Sequence, residues 1–313
     1  MRTARALAEI PLEDPVLALG TFDGIHLGHQ RVIGGTVDRA RAIGGTAVVV
    51  TFEPLPAEVL CPGPDPVLLT TLSERLELLA NAGVDVTLAL PFDRAFSRIP
   101  AQTWLDGILA ERLRAREIFA GASYTFGHRR EGTAERLRAW GAARGIAVHL
   151  VPAVLNGETP VSSSRIRGAL RDGMVDVAAR LLGRWYSVRG PVVAGAGRGR
   201  TIGFPTANLV PPARKVLPAI GVYATVVDVA GRRYGGATNV GRRPTFGGGA
   251  VTIETHLPDF DGALFGREIT VSFVERIREE RAFVGAAALV QQIRTDVARA
   301  RELLAHVGPG IIR

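Results

Sequence analysis

The chain has 313 residues, 47% of them hydrophobic, a length that is long for one core and comfortable for two domains. No apolar run approaches the roughly 20 residues that a membrane span needs. The first residues carry no long apolar core or cleavage site, so we expect neither a membrane partner nor a secretory signal. The formal net charge is +8, which favours anionic partners.

The positive charge is spread along the chain. Arginine carries almost all of it, since Lys215 is the only lysine, and only 6% of residues are aromatic. No basic stripe interleaved with stacking aromatic side chains is visible, so nucleotide phosphates are a simpler partner than nucleic acid. Cys61 is the only cysteine, which excludes an internal disulfide and is typical of the reducing cytoplasm.

Apolar runs alternate with amphipathic segments through the first half of the chain. The run from Val16 to Leu19 predicts a buried strand. The pattern that follows predicts helices at 31–43, 72–81, 99–113 and 134–144 and strands at 46–52, 84–90, 117–121 and 147–152. Strand, helix, strand is the unit of a parallel sheet. A doubly wound, Rossmann-like α/β domain is therefore predicted, with its ligand at the carboxyl ends of the strands.

The turn after the first predicted strand has the composition of a phosphate site. Gly20 and Gly24 let the backbone turn tightly and approach a ligand, and the N-terminus of a helix starting near Leu27 would face an anion. His26 and His29, three residues apart, fall on one side of the first helical turn. They could donate hydrogen bonds to phosphate oxygens, although such a pair is also compatible with helix capping or a solvated surface.

The string GTFDGIHLGH resembles the signature of the HxGH nucleotidyltransferases, in the form that opens the bacterial bifunctional riboflavin kinase/FAD synthetases. The resemblance implies that this domain binds ATP and transfers its AMP part to FMN. It also implies which residues take part, namely His26 and His29 as catalytic residues and Gly20, Phe22, Asp23 and Gly24 as nucleotide contacts.

A second candidate phosphate site is VSSSRIR, residues 161–167, placed just before a predicted helix at 166–170. The serine hydroxyls can cap this helix, and arginine forks bind phosphate oxygens in pairs. Capping alone does not require both arginines. The string resembles the second signature of the same family, which implies that Ser163, Ser164 and Arg167 hold the ATP phosphates.

The pattern changes after Gly183 to short runs separated by glycine turns. Antiparallel strands are predicted at 186–193, 221–229, 233–240, 251–257 and 268–275, closing into a small barrel. A final helix is predicted at 286–304, with an apolar stripe of core residues at Leu289, Ile293, Val297 and Leu304. The expected domains are 1–184 and 185–313.

The segment GAGRGRTIGFPTANL, residues 195–209, gathers the polar chemistry of the second half. Its glycines form a loop whose N–H groups could wrap a phosphate chain, although such a loop is as compatible with a solvated turn. Pro205 fixes the backbone, and Thr206 and Asn208 present two hard oxygen ligands on one side of an extended segment. Glu254 lies in TIETHL, and a carboxylate on a barrel strand is more often a surface group.

GFPTAN and ETH resemble the signatures of the riboflavin kinases, and the likeness to the bifunctional family extends over essentially the whole chain. It implies a six-stranded antiparallel barrel with a C-terminal helix, Mg²⁺ held by Thr206 and Asn208, and Glu254 as the base that takes the proton from the riboflavin 5′-hydroxyl. The implied nucleotide contacts of this domain are Gly197, Arg200, Gly203, Pro205, Thr206 and Asn208.

We therefore expect a bifunctional transferase that uses ATP and Mg²⁺ to convert riboflavin to FMN and FMN to FAD. Three departures from the family pattern, Leu55, Ser123 and Met174, keep an alternative open, an active riboflavin kinase with a weakened or lost FMN adenylyltransferase site. A non-enzymatic flavin or nucleic-acid binder is disfavoured, because it has no use for GFPTAN and ETH together. The sequence leaves the oligomeric state open.

Overall fold

The computed structural model describes residues 1–6, 12–61, 63, 68–195, 199, 202–242 and 251–307. By their contacts these residues form two compact units, which divide between Ser163 and Ser164. The assignment of the two activities to 1–184 and 185–313 stays a prediction. Gly197 and Arg200, which the sequence proposed as nucleotide contacts, lie outside the described residues.

In the first unit, the described strands form a six-stranded parallel sheet. Its order is β1 (Arg2–Ala4), β4 (Val86–Leu90), β3 (Ala47–Phe52), β2 (Val16–Leu19), β5 (Glu117–Gly121) and β8 (Ala147–Val151). The short pieces in the same unit are β6 (Thr125–Phe126), β7 (Gly132–Thr133), β9 (Leu155–Asn156) and β10 (Thr159–Pro160). The sequence did not predict β1, because its three residues carry too little apolar pattern.

Helices cover both faces of this sheet, because successive side chains of each strand point to opposite sides. Val16 and Ala18 pack with α1 (Leu27–Ile43) and α3 (Leu72–Asn81). Leu17 and Leu19 pack on the other face. Two helices lie on that face. They are α4 (Ala101–Thr103), which continues as π-helical turns over Trp104–Arg112, and α5 (Ala134–Ala142). The short helix α2 spans Pro56–Leu60. The predicted doubly wound, Rossmann-like fold is confirmed.

The predicted helix at 166–170 was too short. The observed helix α6 spans Ser163–Arg171, so Ser163, Ser164 and Arg167 lie in its first turns. The first turn tolerates serine because a hydroxyl there can bond to a nearby backbone group, and the Ser163 hydroxyl donates to the carbonyl of Asp23 at 3.0 Å. A second helix, α7 (Val175–Leu182), ends at Gly183, whose φ of 71° forms the left-handed cap.

In the second unit, the described strands close into an antiparallel barrel of six strands. They are β11 (Tyr186–Val193), β12 (Thr206–Leu209), β15 (Val251–His256), β14 (Arg232–Arg242), β13 (Gly221–Val229) and β16 (Glu268–Arg278), in barrel order. The predicted barrel is therefore confirmed, although β12 was predicted only as an extended segment. Inside, the hydroxyls of Thr225, Thr238 and Thr255 form a chain with spacings of 2.7 and 2.9 Å, which satisfies these buried polar groups.

The C-terminal helix α8 (Ala286–Ala305) packs on β13, β14 and β16. The predicted apolar stripe holds at its end, where Leu304 is buried, but Leu289, Ile293 and Val297 are only half-buried. Val297 lines a cavity of about 500 Å³ against β14. The space beside Val297 accounts for the partial exposure of that residue, so the stripe is less buried than predicted.

An ion pair fixes α8 to the end of β16. Asp296 on α8 has a side chain only 6% exposed, and Arg278 donates to both of its carboxylate oxygens at 2.6–3.1 Å. Gln292 donates to the same carboxylate at 2.7 Å. No helix in the described part of the chain is long and apolar enough to cross a membrane.

We predict that Asp296→Ala lowers the free energy of unfolding of the barrel unit by about 3 kcal/mol, because it leaves the Arg278 guanidinium without its carboxylate. Urea denaturation measures the change. The matched control is Arg301→Ala, which removes an ion pair with Asp259 whose two side chains are each 60% exposed, and which should change stability by less than about 1 kcal/mol. Equal losses in the two variants would contradict the prediction.

Candidate active sites

The predicted phosphate loop lies at the carboxyl end of β2, beside the point where the sheet order reverses. Neighbours of β2 are β3 on one side and β5 on the other, and their connections leave in opposite directions, which opens the crevice where α/β sheets bind ligands. Gly20, Phe22, Asp23, Gly24 and His26 follow β2 directly. The structure therefore places these predicted residues together at the expected edge.

The loop holds two non-glycine residues in the left-handed region. Phe22 has φ 50° and Ile25 has φ 38°, with Gly24 at φ 80° between them. The Phe22 ring is buried and lies against Gly20, where an added Cβ would sit 3.0 Å from the ring. Gly20 is thus needed for space, and the loop keeps a strained conformation of the kind found at ligand sites.

His26 and His29 stack on each other at the start of α1. Their ring centroids are 3.7 Å apart with planes inclined by 17°. His26 is the N-cap, and its Nδ1 accepts a hydrogen bond from the backbone N–H of His29 at 3.3 Å. Since Nδ1 accepts, the ring proton of His26 is on Nε2, which makes that atom a donor. His26 therefore caps the helix through Nδ1, and its Nε2–H can still act as a hydrogen-bond donor at the helix N-terminus.

His29 is held in its neutral form. Burial, followed by the charge of His26, keeps the pKa of His29 well below its usual 6.5. Its Nδ1 is shielded from solvent and has no hydrogen-bond partner among the described residues. The Phe22 ring meets the His29 ring edge-on, with centroids 5.2 Å apart. The nitrogen that can meet a ligand is consequently Nε2.

The carboxylate of Asp23 makes its hydrogen bonds within the protein. Asp23 is 2% exposed and accepts hydrogen bonds from the backbone N–H groups of Leu69 and Thr70 at 3.0–3.1 Å, and from the Thr70 hydroxyl at 3.1 Å. The Thr70 hydroxyl also accepts from the N–H of Gly24 at 3.0 Å. Asp23 thereby ties the loop to the segment before α3, a function that the sequence did not reveal.

The predicted residues of the second signature lie on one helix. Ser163 contacts the loop through its hydrogen bond to the Asp23 carbonyl. Ser164 and Arg167 follow in the next positions of α6. Their role as phosphate ligands stays a prediction.

In the barrel unit, Asn208 and Glu254 are directly opposite each other on β12 and β15. Opposite residues of an antiparallel pair have their Cα atoms about 4.5–5.5 Å apart and their side chains on one face. Thr206 is two residues from Asn208 and shares that face, opposite His256. The barrel therefore brings together the three residues that the sequence assigned to a metal–nucleotide site.

Asn239 lies in one row with Asn208 and Glu254 across the three strands, a position that the sequence did not predict. On the far side of β15, Asn239 of β14 is in register with Glu254, so two amide side chains flank the carboxylate. The strand pairing that produces this row depends on the register of β14 and β15, which residue patterns alone did not give.

Two described glycines before β12, Gly195 and Gly199, lie against the same row. An added Cβ at Gly195 would sit 2.2 Å from Nδ2 of Asn208, and one at Gly199 would sit 3.4 Å from Oγ1 of Thr206 and 2.3 Å from the Phe204 carbonyl. The glycines are therefore required for close approach. Gly203 has φ 84°, and the Pro205 carbonyl accepts a hydrogen bond of 2.8 Å from Nδ1 of His256.

The donors in this row suit a magnesium ion better than a transition metal. A hydroxyl, an amide oxygen and a carboxylate are hard oxygen ligands, and Mg²⁺ needs only one or two of them because it keeps water and binds phosphates. Asn208 is 7% exposed, so its amide is held in place. No cluster of three or more His, Cys, Asp or Glu side chains that could hold a metal occurs among the described residues.

Two family models match the chain, one in each half. The FAD synthetase model matches residues 9–165, and the riboflavin kinase model matches residues 182–304. The bifunctional riboflavin kinase/FMN adenylyltransferase of Escherichia coli K12 is 37% identical over 99% of this chain and 99% of its own length. The protein of the same name from Bacillus subtilis 168 is 36% identical over 90% of both chains.

A solved structure has the same fold. The crystal structure of a protein named macrolide-efflux protein from Streptococcus pneumoniae superposes with a TM-score of 0.87 at 35% identity, covering 96% of this chain and 98% of its own. Fold and sites together define a nucleotidyltransferase unit joined to a barrel kinase unit. The chain belongs to the bifunctional riboflavin kinase/FMN adenylyltransferase family.

We predict that Gly28→Ala lowers the rate of FAD formation from FMN by about 10- to 100-fold, because displacing a reacting group by about 1 Å has effects of that size. The added Cβ would lie 3.1–3.2 Å from the His26 ring, which must shift. A coupled assay of FAD measures the rate. Gly34→Ala on the same helix is the control, since its Cβ meets nothing within 4 Å, and it should leave the rate unchanged.

We also predict a pH dependence of stability from His29. The unfolded histidine titrates near its usual 6.5, whereas the folded one titrates lower. The unfolded state therefore takes up the proton first, so the stability is fully present above about pH 6.5 and is lost as the pH falls from there towards the folded pKa. Thermal denaturation between pH 8 and 5 should show a larger loss of Tm for the natural protein than for His29→Phe. Parallel curves would contradict this origin of the pH dependence.

Proposed function

We propose that the chain makes FAD in two steps at two sites. The barrel unit transfers the γ-phosphate of ATP to riboflavin, which gives FMN and ADP. The sheet unit transfers AMP from a second ATP to FMN, which gives FAD and pyrophosphate. The observation that carries the proposal is the presence of two separate clusters, the histidine pair at the end of β2 and the row on β12, β14 and β15. A cytoplasmic location, supported by the single cysteine, is part of the proposal.

In the kinase site, Glu254 accepts the proton of the riboflavin 5′-hydroxyl as the oxygen attacks the γ-phosphorus. Its neighbours in the row, Asn208 and Asn239, hold polar groups on both sides of it. Gly195, Gly199 and Gly203 would let the backbone approach the phosphate chain, because these three positions carry no side chain that would block contact. The protein therefore contributes a proton acceptor and the groups that position the substrates for phosphate transfer.

Thr206 and Asn208 would hold Mg²⁺, which when bound neutralises negative charge on the ATP phosphates. The support is the donor set, two uncharged oxygen ligands on one face of β12 beside a carboxylate. Gly197 and Arg200, outside the described residues, stay predicted nucleotide contacts.

In the adenylyl transfer site, an oxygen of the FMN phosphate attacks the α-phosphorus of ATP, and the bond to pyrophosphate breaks. No protein nucleophile is needed, because a phosphate dianion is already one. Nε2–H of His26 donates to the charged oxygens, and neutral His29 stands beside it at the N-terminus of α1. Ser163, Ser164 and Arg167 are proposed to hold the departing phosphates.

The alternative is a working riboflavin kinase with a weak adenylyltransferase. Its three residues lie in different settings: Leu55 is buried at the start of α2, Ser123 is exposed in the turn after β5, and Met174 is 44% exposed before α7. The intact stack of His26 and His29 therefore favours an active first unit.

Two substitutions should separate the activities. With riboflavin, ATP and Mg²⁺, the natural protein should give FMN and then FAD, measured by chromatography of the products. Glu254→Gln should block FMN formation yet still make FAD from supplied FMN. His29→Ala should make FMN normally and FAD about 10²–10³-fold more slowly, the usual effect of removing one charge-stabilising donor.

The outcomes are distinct. FMN that accumulates without FAD in the natural protein supports the alternative. Normal FAD output from His29→Ala would show that the assignment of His29 to adenylyl transfer is wrong. Normal FMN output from Glu254→Gln would show that Glu254 is not the base. No consumption of ATP would overturn both activities.

A further inference from the structure

Arg75 is one of the least exposed side chains in the first unit. It lies in the first turn of α3 at 1% exposure, although arginine is almost never fully buried unless it is paired. Burial lowers the pKa of Arg75 from its usual value, and burial likewise raises the pKa of its partner Glu53. A buried guanidinium must therefore have strong contacts that hold it in place.

Those contacts lie at the ends of two strands. Nη1 donates to the carbonyl of Thr21, just after β2, at 3.1 Å. Nη2 donates to the carbonyl of Phe52, the last residue of β3, at 3.2 Å, and to Oε2 of Glu53 at 2.6 Å. The planar fork of arginine can meet several acceptors in fixed directions. Arg75 thus links the phosphate loop to β3 and α3.

The Thr21 carbonyl is held from a second side. The hydroxyl of Thr51 on β3 donates to it at 2.8 Å. Two protein donors therefore fix the orientation of the peptide unit between Thr21 and Phe22. The next residue, Phe22, has φ 50°, and its ring meets the ring of His29.

A strained residue keeps its conformation only where its surroundings determine it. Asp23 fixes the loop on one side of Phe22 through the Leu69 and Thr70 amides. Arg75 and Thr51 fix it on the other side. Without the contacts to Thr21, the peptide unit could rotate and Phe22 could relax, and the His29 ring would then lose the neighbour against which it rests.

We propose that Arg75 is a positioning residue for adenylyl transfer, which acts through the Thr21 carbonyl to keep Phe22 strained and His29 in place. This inference rests on the proposed function of the first unit. It differs from a role in stability alone, because the ion pair with Glu53 can be weakened while the hydrogen bond to Thr21 stays.

The test measures kcat and KM of FAD formation from supplied FMN and ATP, together with the riboflavin kinase rate of the same chain. In Arg75→Met, we expect kcat to fall about 10- to 100-fold, the range for a misplaced reacting group, with KM for ATP changed less than about threefold. Thr51→Val keeps the shape of the buried side chain and removes the other donor to Thr21, so kcat should fall in the same direction by a smaller factor. Thr51→Val also provides the test if Arg75→Met does not fold.

Two controls separate position from charge. Glu53→Gln weakens the ion pair but leaves the bond to Thr21, and it should keep kcat within about threefold of the natural value. Arg41→Met removes a bidentate arginine–aspartate pair with Asp85 in the same unit, away from the loop, and should leave kcat unchanged. NMR of labelled histidine rings should show shifted His26 and His29 signals in Arg75→Met and Thr51→Val, with unshifted signals in both controls.

Unchanged kcat in Arg75→Met and in Thr51→Val would overturn the inference. A loss in Glu53→Gln equal to that in Arg75→Met would also overturn it, because the ion pair would then be responsible. If the natural protein makes no FAD from FMN, the proposed function fails instead, and the NMR comparison still decides whether Arg75 positions the histidines.

Discussion

The buried carboxylate of Asp23 is the contact on which the first site depends. It accepts two backbone N–H groups and a hydroxyl from residues 69 and 70, and so fixes a loop that contains two left-handed residues, Phe22 and Ile25. Each such residue is unfavourable by about 1–3 kcal/mol. The short segment could not hold this shape alone, so the residues just before α3 are needed to form the phosphate loop.

The barrel site is built by a different means. No strained turn presents Asn208, Glu254 and Asn239; the regular hydrogen-bonded ladder of β12, β15 and β14 sets them side by side. A ladder fixes register firmly, because a shift of one residue would turn each side chain to the opposite face. The first site thus depends on tertiary contacts to a loop, and the second on strand pairing.

Glycine serves both sites in the same way. Gly28 leaves room for the His26 ring, and Gly195 leaves room for the Asn208 amide. In each case the missing Cβ lets the backbone lie directly against a polar side chain with a proposed functional role. The identity of these glycines therefore follows from packing against a neighbour. Of the predicted site glycines that the structure describes, Gly24 and Gly203 are explained by a positive φ, whereas Gly20 is explained by its contact with the Phe22 ring.

The sequence by itself determined the two fold classes, most element positions and the candidate residues, because apolar periodicity and short motifs are local signals. The strands at 117–121, 186–193 and 221–229 and the helix at 72–81 agree with the structure to the residue. Only the tertiary structure decided that Asp23 faces inward, that Asn239 joins Glu254 and that Arg75 is buried beneath the loop. These facts depend on contacts between residues 22 to 54 positions apart, or on strand register, and no local pattern encodes them.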